Sequence, residues 1–120
     1  MELSIKGHDL ELSDALKAYT ERRLRGSLLG FAEWLESVEV RLSDVNGPRG
    51  GADKNCAIRV ILRHLGVVFA NAKGRHVYST VDCAASRLRS ALMRRLGRHR
   101  ADRRRVRWIS TALAGDSLAK

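Results

Sequence analysis

Polar and apolar residues alternate from Glu2 to Gly7, with Leu3 and Ile5 on one side. That period of two predicts a short strand with one buried face. His8 and Asp9 follow as a turn. Ser13 is a good helix N-cap, because its hydroxyl can accept from free backbone N–H groups of the first turn. Asp14, just inside, suits the positive end of the helix. Leu16, Tyr19, Thr20, Leu24 and Ser27 share one side of a helix running to about residue 28. Arg22 and Arg25 point away from that side, whereas Arg23 falls near it and has to snorkel. Gly26 and Gly30 weaken the helix end, and Leu28 to Leu35, with Phe31 and Trp34, reads as an irregular or single-turn hydrophobic plug.

The period of two then returns. Val38, Val40 and Leu42 alternate with Glu39, Arg41 and Ser43, which predicts a second strand with one wet face. Asp44 to Lys54 is a glycine-rich connection. Cys56, Ile58, Val60 and Leu62 alternate with Ala57, Arg59, Ile61 and Arg63 as a third strand. His64-Leu65-Gly66 is a tight turn, and Val67 to Lys73 is a fourth strand with Val68, Ala70 and Ala72 on one face. From about His76 the period becomes 3.6: Val77, Val81, Ala84, Leu88 and Leu92 form one stripe. At ~1.5 Å per residue, a helix over 76–99 would span ~36 Å. Arg95 falls at the centre of the apolar arc, where burial is costly, so the helix is expected to have passed the sheet edge by then. Gly97 is expected to kink or fray the end, and residues 101–120 to be a weakly ordered tail.

The predicted class is α+β, in the order β-α-β-β-β-α. One four-stranded, mainly antiparallel sheet with two helices packed on one face satisfies every apolar stripe. A chain of 120 residues suits one domain, here 1–100, followed by the tail. No basic start leads into an apolar stretch and no 18-residue apolar run exists, so a soluble, cytoplasmic protein is expected, with no membrane partner.

Charge changes the picture most. Residues 75–107 hold eleven arginines against Asp82 and Asp102, a local charge of +9 in a chain whose total is +10. Residues 1–74 are nearly neutral, with eleven basic and ten acidic side chains. Arg87, Arg94 and Arg98 form a stripe beside the apolar one, and Arg89 and Arg100 lie on the other shoulder. A solvated helix face normally mixes signs for i,i+4 pairing. This one carries almost no acids, which favours a polyanion as partner. Arginine can bond phosphate with two donors, so affinity is expected to be phosphate-driven and salt-sensitive. Tyr78 is expected to pack at the helix start rather than to stack on a base.

Other chemistry is thinly represented. Asn46 to Gly51 lacks the GxxxxGK[ST] pattern and reads as a flexible hairpin loop, although Arg49 and Lys54 could brush RNA. His8, His64, His76 and His99 show no ligand spacing, so no metal and no cofactor are expected. Cys56 lies on an apolar strand face, and Cys83 is expected to be a semi-buried, inert thiol. No nucleophile–base set can be assembled, so neither catalysis nor a small-molecule substrate is expected.

Leu3-x-Ile5-x-Gly7, Leu12-Ser13-x-Ala15-Leu16, and above all Ala70-x-Ala72-x-Gly74-x-x-x-Tyr78-x-x-Val81-Asp82, followed by Arg87-Leu88 and Leu92-x-Arg94, carry a resemblance. Over residues 1 to about 100 the chain resembles the ribosome hibernation factors, the ribosome-associated translation inhibitors of bacteria and plastids, in a short form without the C-terminal dimerisation domain. The resemblance implies binding to the small (30S) ribosomal subunit and its 16S rRNA, in the channel where mRNA and tRNA would lie. It implies silencing of translation under stress or in stationary phase. Carried over by position, Arg22, Arg23, Arg87 and Arg94 are the best-supported rRNA contacts, and Arg25, Arg89, Arg95, Arg98 and Arg100 complete the candidate set. The family's usual Asp ahead of the second helix is His76 here, and the second helix uses Arg where many members use Lys. A weak homodimer is compatible with this reading. The alternatives are a general RNA- or DNA-binding module, or a regulatory protein–protein module using Trp108 to Leu113.

Overall fold

The computed structural model describes residues 2–44 and 53–118, with 101–118 described as backbone alone. The order is β1 (Glu2–His8), α1 (Asp14–Ser27), a 3₁₀ turn (Ala32–Trp34), β2 (Leu35–Asp44), β3 (Lys54–Leu62), β4 (Gly66–Gly74) and α2 (Val77–Leu118). The strands form one sheet in the order β1-β2-β3-β4. β1 pairs parallel with β2 across the α1 crossover, and β2, β3 and β4 run antiparallel to one another. The α+β class and the β-α-β-β-β-α order predicted from periodicity are those of the molecule.

Alternation along the strands divides the sheet into two unlike faces. Val38, Val40, Leu42, Cys56, Ile58, Val60, Leu62, Val68, Ala70 and Ala72 are buried beneath the helices. The helices answer with their own apolar stripes, Leu16, Thr20, Leu24 and Ser27 on α1, and Val81, Ala84, Ala85, Leu88, Leu92 and Leu96 on α2. Ser13 caps α1 as expected, its hydroxyl accepting from the Leu16 N–H at 3.1 Å. The plug after α1 buries Leu28, Phe31 and Leu35 but leaves Leu29 exposed.

Two glycines have specific steric reasons. Gly66 closes the β3–β4 turn at φ +83°, in the left-handed region that disfavours a side chain. A Cβ on Gly74 would stand 2.6 Å from the Thr80 hydroxyl, so only glycine lets β4 end directly beneath the start of α2. At that start, Ser79 and Thr80 both donate their hydroxyls to the His76 carbonyl.

Three expectations need correction. The helix does not leave the sheet by residue 95, because Leu96 is buried and Trp34 meets His99 edge-on at 5.5 Å. Nor does Gly97 end it: α2 continues to Leu118, 42 residues in all, or ~63 Å. Cys83 is exposed rather than semi-buried, because it falls outside the apolar stripe. The Asn46–Gly51 loop and Arg49 lie outside the described residues, as do the side chains of Arg103–Arg107 and Trp108–Leu113.

The two thiols are expected to behave differently. Burial pushes Cys56 up to about 12 from an ordinary 9.0. At pH 8 one thiol, Cys83, will react with a thiol reagent in the folded protein, and the second only after unfolding. Because the folded value is raised, the Cys56 contribution to stability is fully present below about pH 9. It is lost as the pH rises towards 12. Two thiols reacting at equal rates in the native protein would contradict this.

Candidate nucleic-acid interface

The nine candidate arginines are alike in sequence but divide in space according to what their guanidinium groups meet. Arg23 does not reach solvent freely. Its Nε stands 3.2 Å from Asp82 Oδ1, and it also donates to the Ser27 and Ser86 hydroxyls, at 3.1 and 3.2 Å. The Tyr19 hydroxyl donates to the same Asp82 oxygen at 2.6 Å, and the Tyr19 ring meets Tyr78 edge-on at 4.9 Å. Together these groups clasp α1 to α2. Tyr78 thus packs against α1, as expected, though it stays partly exposed. Asp82, an acid in the arginine-rich stretch, serves to hold Arg23 and Tyr19.

Arg89 is held in the same way. Its Nη1 donates to the Ser27 and Leu29 carbonyls, both at 3.2 Å, and its guanidinium lies 5.8 Å from the Phe31 ring. Carbonyls at the end of α1 have no helical partner and carry the negative end of the helix dipole, so a cation suits them. Arg95 donates to the Leu65 carbonyl in the β3–β4 turn. This is how an arginine sits half-buried at the centre of an apolar arc, with its stem along the core and its head on a turn carbonyl. Arg25 pairs with Glu21 at 2.6 Å, one helical turn away.

The remaining side chains face solvent. Arg87 spends one donor on the Asn71 carbonyl at 2.7 Å and is otherwise exposed. Arg22 is exposed with its guanidinium 6.0 Å from the Tyr19 ring. Arg94, Arg98 and Arg100 are exposed and have no hydrogen-bond or ion-pair partner among the described residues. Arg87, Arg94 and Arg98 occupy one flank of α2, and Arg89 and Arg100 the other, the α1 side. Arg94 and Arg98 are one turn apart, ~6 Å along the axis. Like charges so placed repel one another, with no acid paired to them among the described residues, which is the electrostatic condition a polyanion relieves. Lys54 is not available in this way. Its ammonium lies 2.7 Å from Asp44 and 3.4 Å from the buried Asp53, and the Asp44 hydrogen bond is the main cause of its raised pKa.

Asp82→Asn tests the clasp. Hydrogen bonding to Asp82, and then desolvation, raise the Tyr19 phenol above its ordinary value. The variant is expected to return Tyr19 towards 10.0 in an ultraviolet pH titration and to melt a few degrees lower, with the fold unchanged. An unmoved tyrosine titration would rule the clasp out.

The fold and its cationic helix define a small, basic α+β domain with a parallel first strand joined through a helix. The chain belongs to the family described as sigma 54 modulation protein / S30EA ribosomal protein, whose profile matches residues 3–100. It is 26% identical over 88 residues, 72% of its length, to the chloroplastic ribosome-binding factor PSRP1 of Spinacia oleracea, and spans 29% of that relative. Its fold is similar to that of a ribosomal subunit interface protein from Coxiella burnetii, with TM-score 0.66 and 21% identity over 84% of this chain and 99% of the other. It is also similar to the N-terminal domain of Thermus thermophilus Protein Y, with TM-score 0.63 and 25% identity over 78% of this chain and 98% of that domain.

Proposed function

We propose that this chain binds the small ribosomal subunit through rRNA phosphates and, lying in the mRNA and tRNA channel, holds translation off under stress. The observation that carries the reading is the row of exposed arginines on α2, Arg87, Arg94 and Arg98, none paired with an acid among the described residues. Family membership supports the ribosome as the polyanion, since relatives bear names that mark them as ribosome-binding and subunit-interface proteins. Residues 1–100 form the binding unit in this proposal, and 101–120 a basic extension. Arg22, Arg87, Arg94, Arg98 and Arg100 are the proposed contacts, while Arg23, Arg89 and Arg95 hold the elements that present them. No helix among the described residues is long and apolar enough to cross a membrane.

A general duplex-RNA binder is less well supported. Such domains run α-β-β-β-α, whereas β1 here is a full sheet member, paired with β2 from Glu2 to His8. Cosedimentation on sucrose gradients tests the proposal. The protein is expected with the small subunit and with whole ribosomes, and to be released steeply as salt rises. Equal affinity for arbitrary RNA duplexes, counted per site, would overturn it. A translation reaction programmed with mRNA is expected to slow in proportion to occupancy.

A further inference from the structure

We propose that the face of the sheet opposite the helices is a second binding surface, which takes a short stretch of single-stranded RNA. Phe69 stacks on a base there, and Lys6 and Arg41 contact phosphates. This surface lies on the sheet face opposite α2. Arg87 reaches its β4 edge at the Asn71 carbonyl, whereas Arg94 and Arg98 make no contact there among the described residues, so the inference is tested apart from the ribosomal reading.

The strand registers assemble it. Lys6 pairs with Arg41, Arg41 with Ala57 and Ala57 with Asn71, which lays one row across all four strands. In the next row Glu39 pairs with Arg59 and Arg59 with Phe69. These side chains alternate with the buried ones and therefore face away from the core. Phe69 is 69% exposed there. A shallow cleft of about 540 Å³ borders Phe69, Arg59, Glu39, Arg41, Ala57 and Asn71. A second, of about 400 Å³, borders Lys6, Gly7, His8, Arg41 and Ser43. Arg41 borders both, so the two clefts adjoin on this face, one over β2 to β4 and the other over β1 and β2.

Chemistry selects the occupant. Glu39 on β2 pairs with Arg59 at 3.7 Å, which draws that guanidinium to the side of β3 away from Phe69. Lys6, Arg41 and Lys73 have no acidic partner among the described residues. A bare ring amid unpaired cations suits a ligand that offers flat faces and negative charge together. A duplex hides its base faces and would leave Phe69 idle. A single strand exposes them, and stacking tolerates any base because each has a π-face. The three strand spacings from β4 to β1 cover ~14 Å. RNA-binding sheets of four strands stack about two or three bases on such a face.

The test uses the intact chain and fluorescein-labelled decauridylate, read by polarisation at near-physiological salt, with circular dichroism confirming the fold of each variant. Phe69→Ala is expected to weaken binding about tenfold. Phe69→Leu should weaken it nearly as much, and Phe69→Tyr should retain it. An abasic decamer and an RNA duplex of the same length should bind wild type and Phe69→Ala alike. Arg41→Glu should weaken both the decauridylate and the abasic strand. Arg94→Glu with Arg98→Glu should leave the Phe69 dependence intact even if ribosome binding is lost. Unchanged decauridylate binding by Phe69→Ala would overturn the proposal. So would full retention by Phe69→Leu, which would mark a general apolar contact such as a protein partner makes, or an equal loss for the abasic strand.

Discussion

Replacing Arg94 and Arg98 together with Glu is expected to lower affinity for the small subunit at least ~100-fold at physiological salt while the protein stays folded. Neither guanidinium makes a hydrogen bond or ion pair among the described residues, so the change breaks no described native contact. Folding stability should hold or rise slightly, because two like charges one turn apart are removed from a crowded cationic flank. Binding loses two phosphate contacts and gains two repulsions. The slope of log affinity against log salt should fall by about two units. Arg89→Glu makes a poor substitute, because it would abandon the Ser27 and Leu29 carbonyls and loosen α1 as well. Thermal melts and gradient cosedimentation on the same preparation separate the two effects. Intact subunit binding by the double variant at physiological salt would remove this flank of α2 from the contact surface.

The contrast between Arg94 and Arg89 also marks how far the sequence could be read. Strands and helices were legible because each buries one face, and burial writes itself as a period of two or 3.6. Ser13 was legible because capping is local, reaching three residues ahead to Leu16. The roles of the arginines were not. Arg23, Arg89 and Arg95 find their partners at Ser86, Ser27 and Leu65, which lie 63, 62 and 30 residues away in the chain. A helical wheel places Arg95 towards the core but carries no information that a turn carbonyl waits there. The same limit explains the misplaced helix end. Arg95 looked too costly to bury because its partner was invisible, so the packed part of α2 seemed to stop short of Leu96. Phe69 was legible as an outward residue from strand alternation. That no described residue covers it became visible only once both helices were seen on the other face.

The largest expected effect on stability belongs to Leu88→Ala. Leu88 is fully buried on α2 between the small residues Ala84 and Ala85 and the equally enclosed Leu92. The alanines let the helix lie close to the sheet, and Leu88 and Leu92 then fill the space over β3 and β4. Truncating Leu88 removes apolar contacts that no neighbour can replace without moving the helix. Core Leu→Ala changes of this kind cost about 2–5 kcal/mol, transfer and cavity terms together. For a chain of this length a loss near ~3 kcal/mol lowers the melting temperature by about 10–15 °C. Leu88→Met, which conserves volume, should cost less than ~1.5 kcal/mol. Below its melting temperature Leu88→Ala should still cosediment with the subunit, because Arg87, Arg94 and Arg98 ride on the same helix and keep their spacing. It is therefore the mirror image of the charge-reversal variant, which keeps stability and loses binding. Were Leu88→Ala to melt within a degree or two of wild type, α2 could not be packed on the sheet along this stripe. The placement of both arginine flanks would then fall with it.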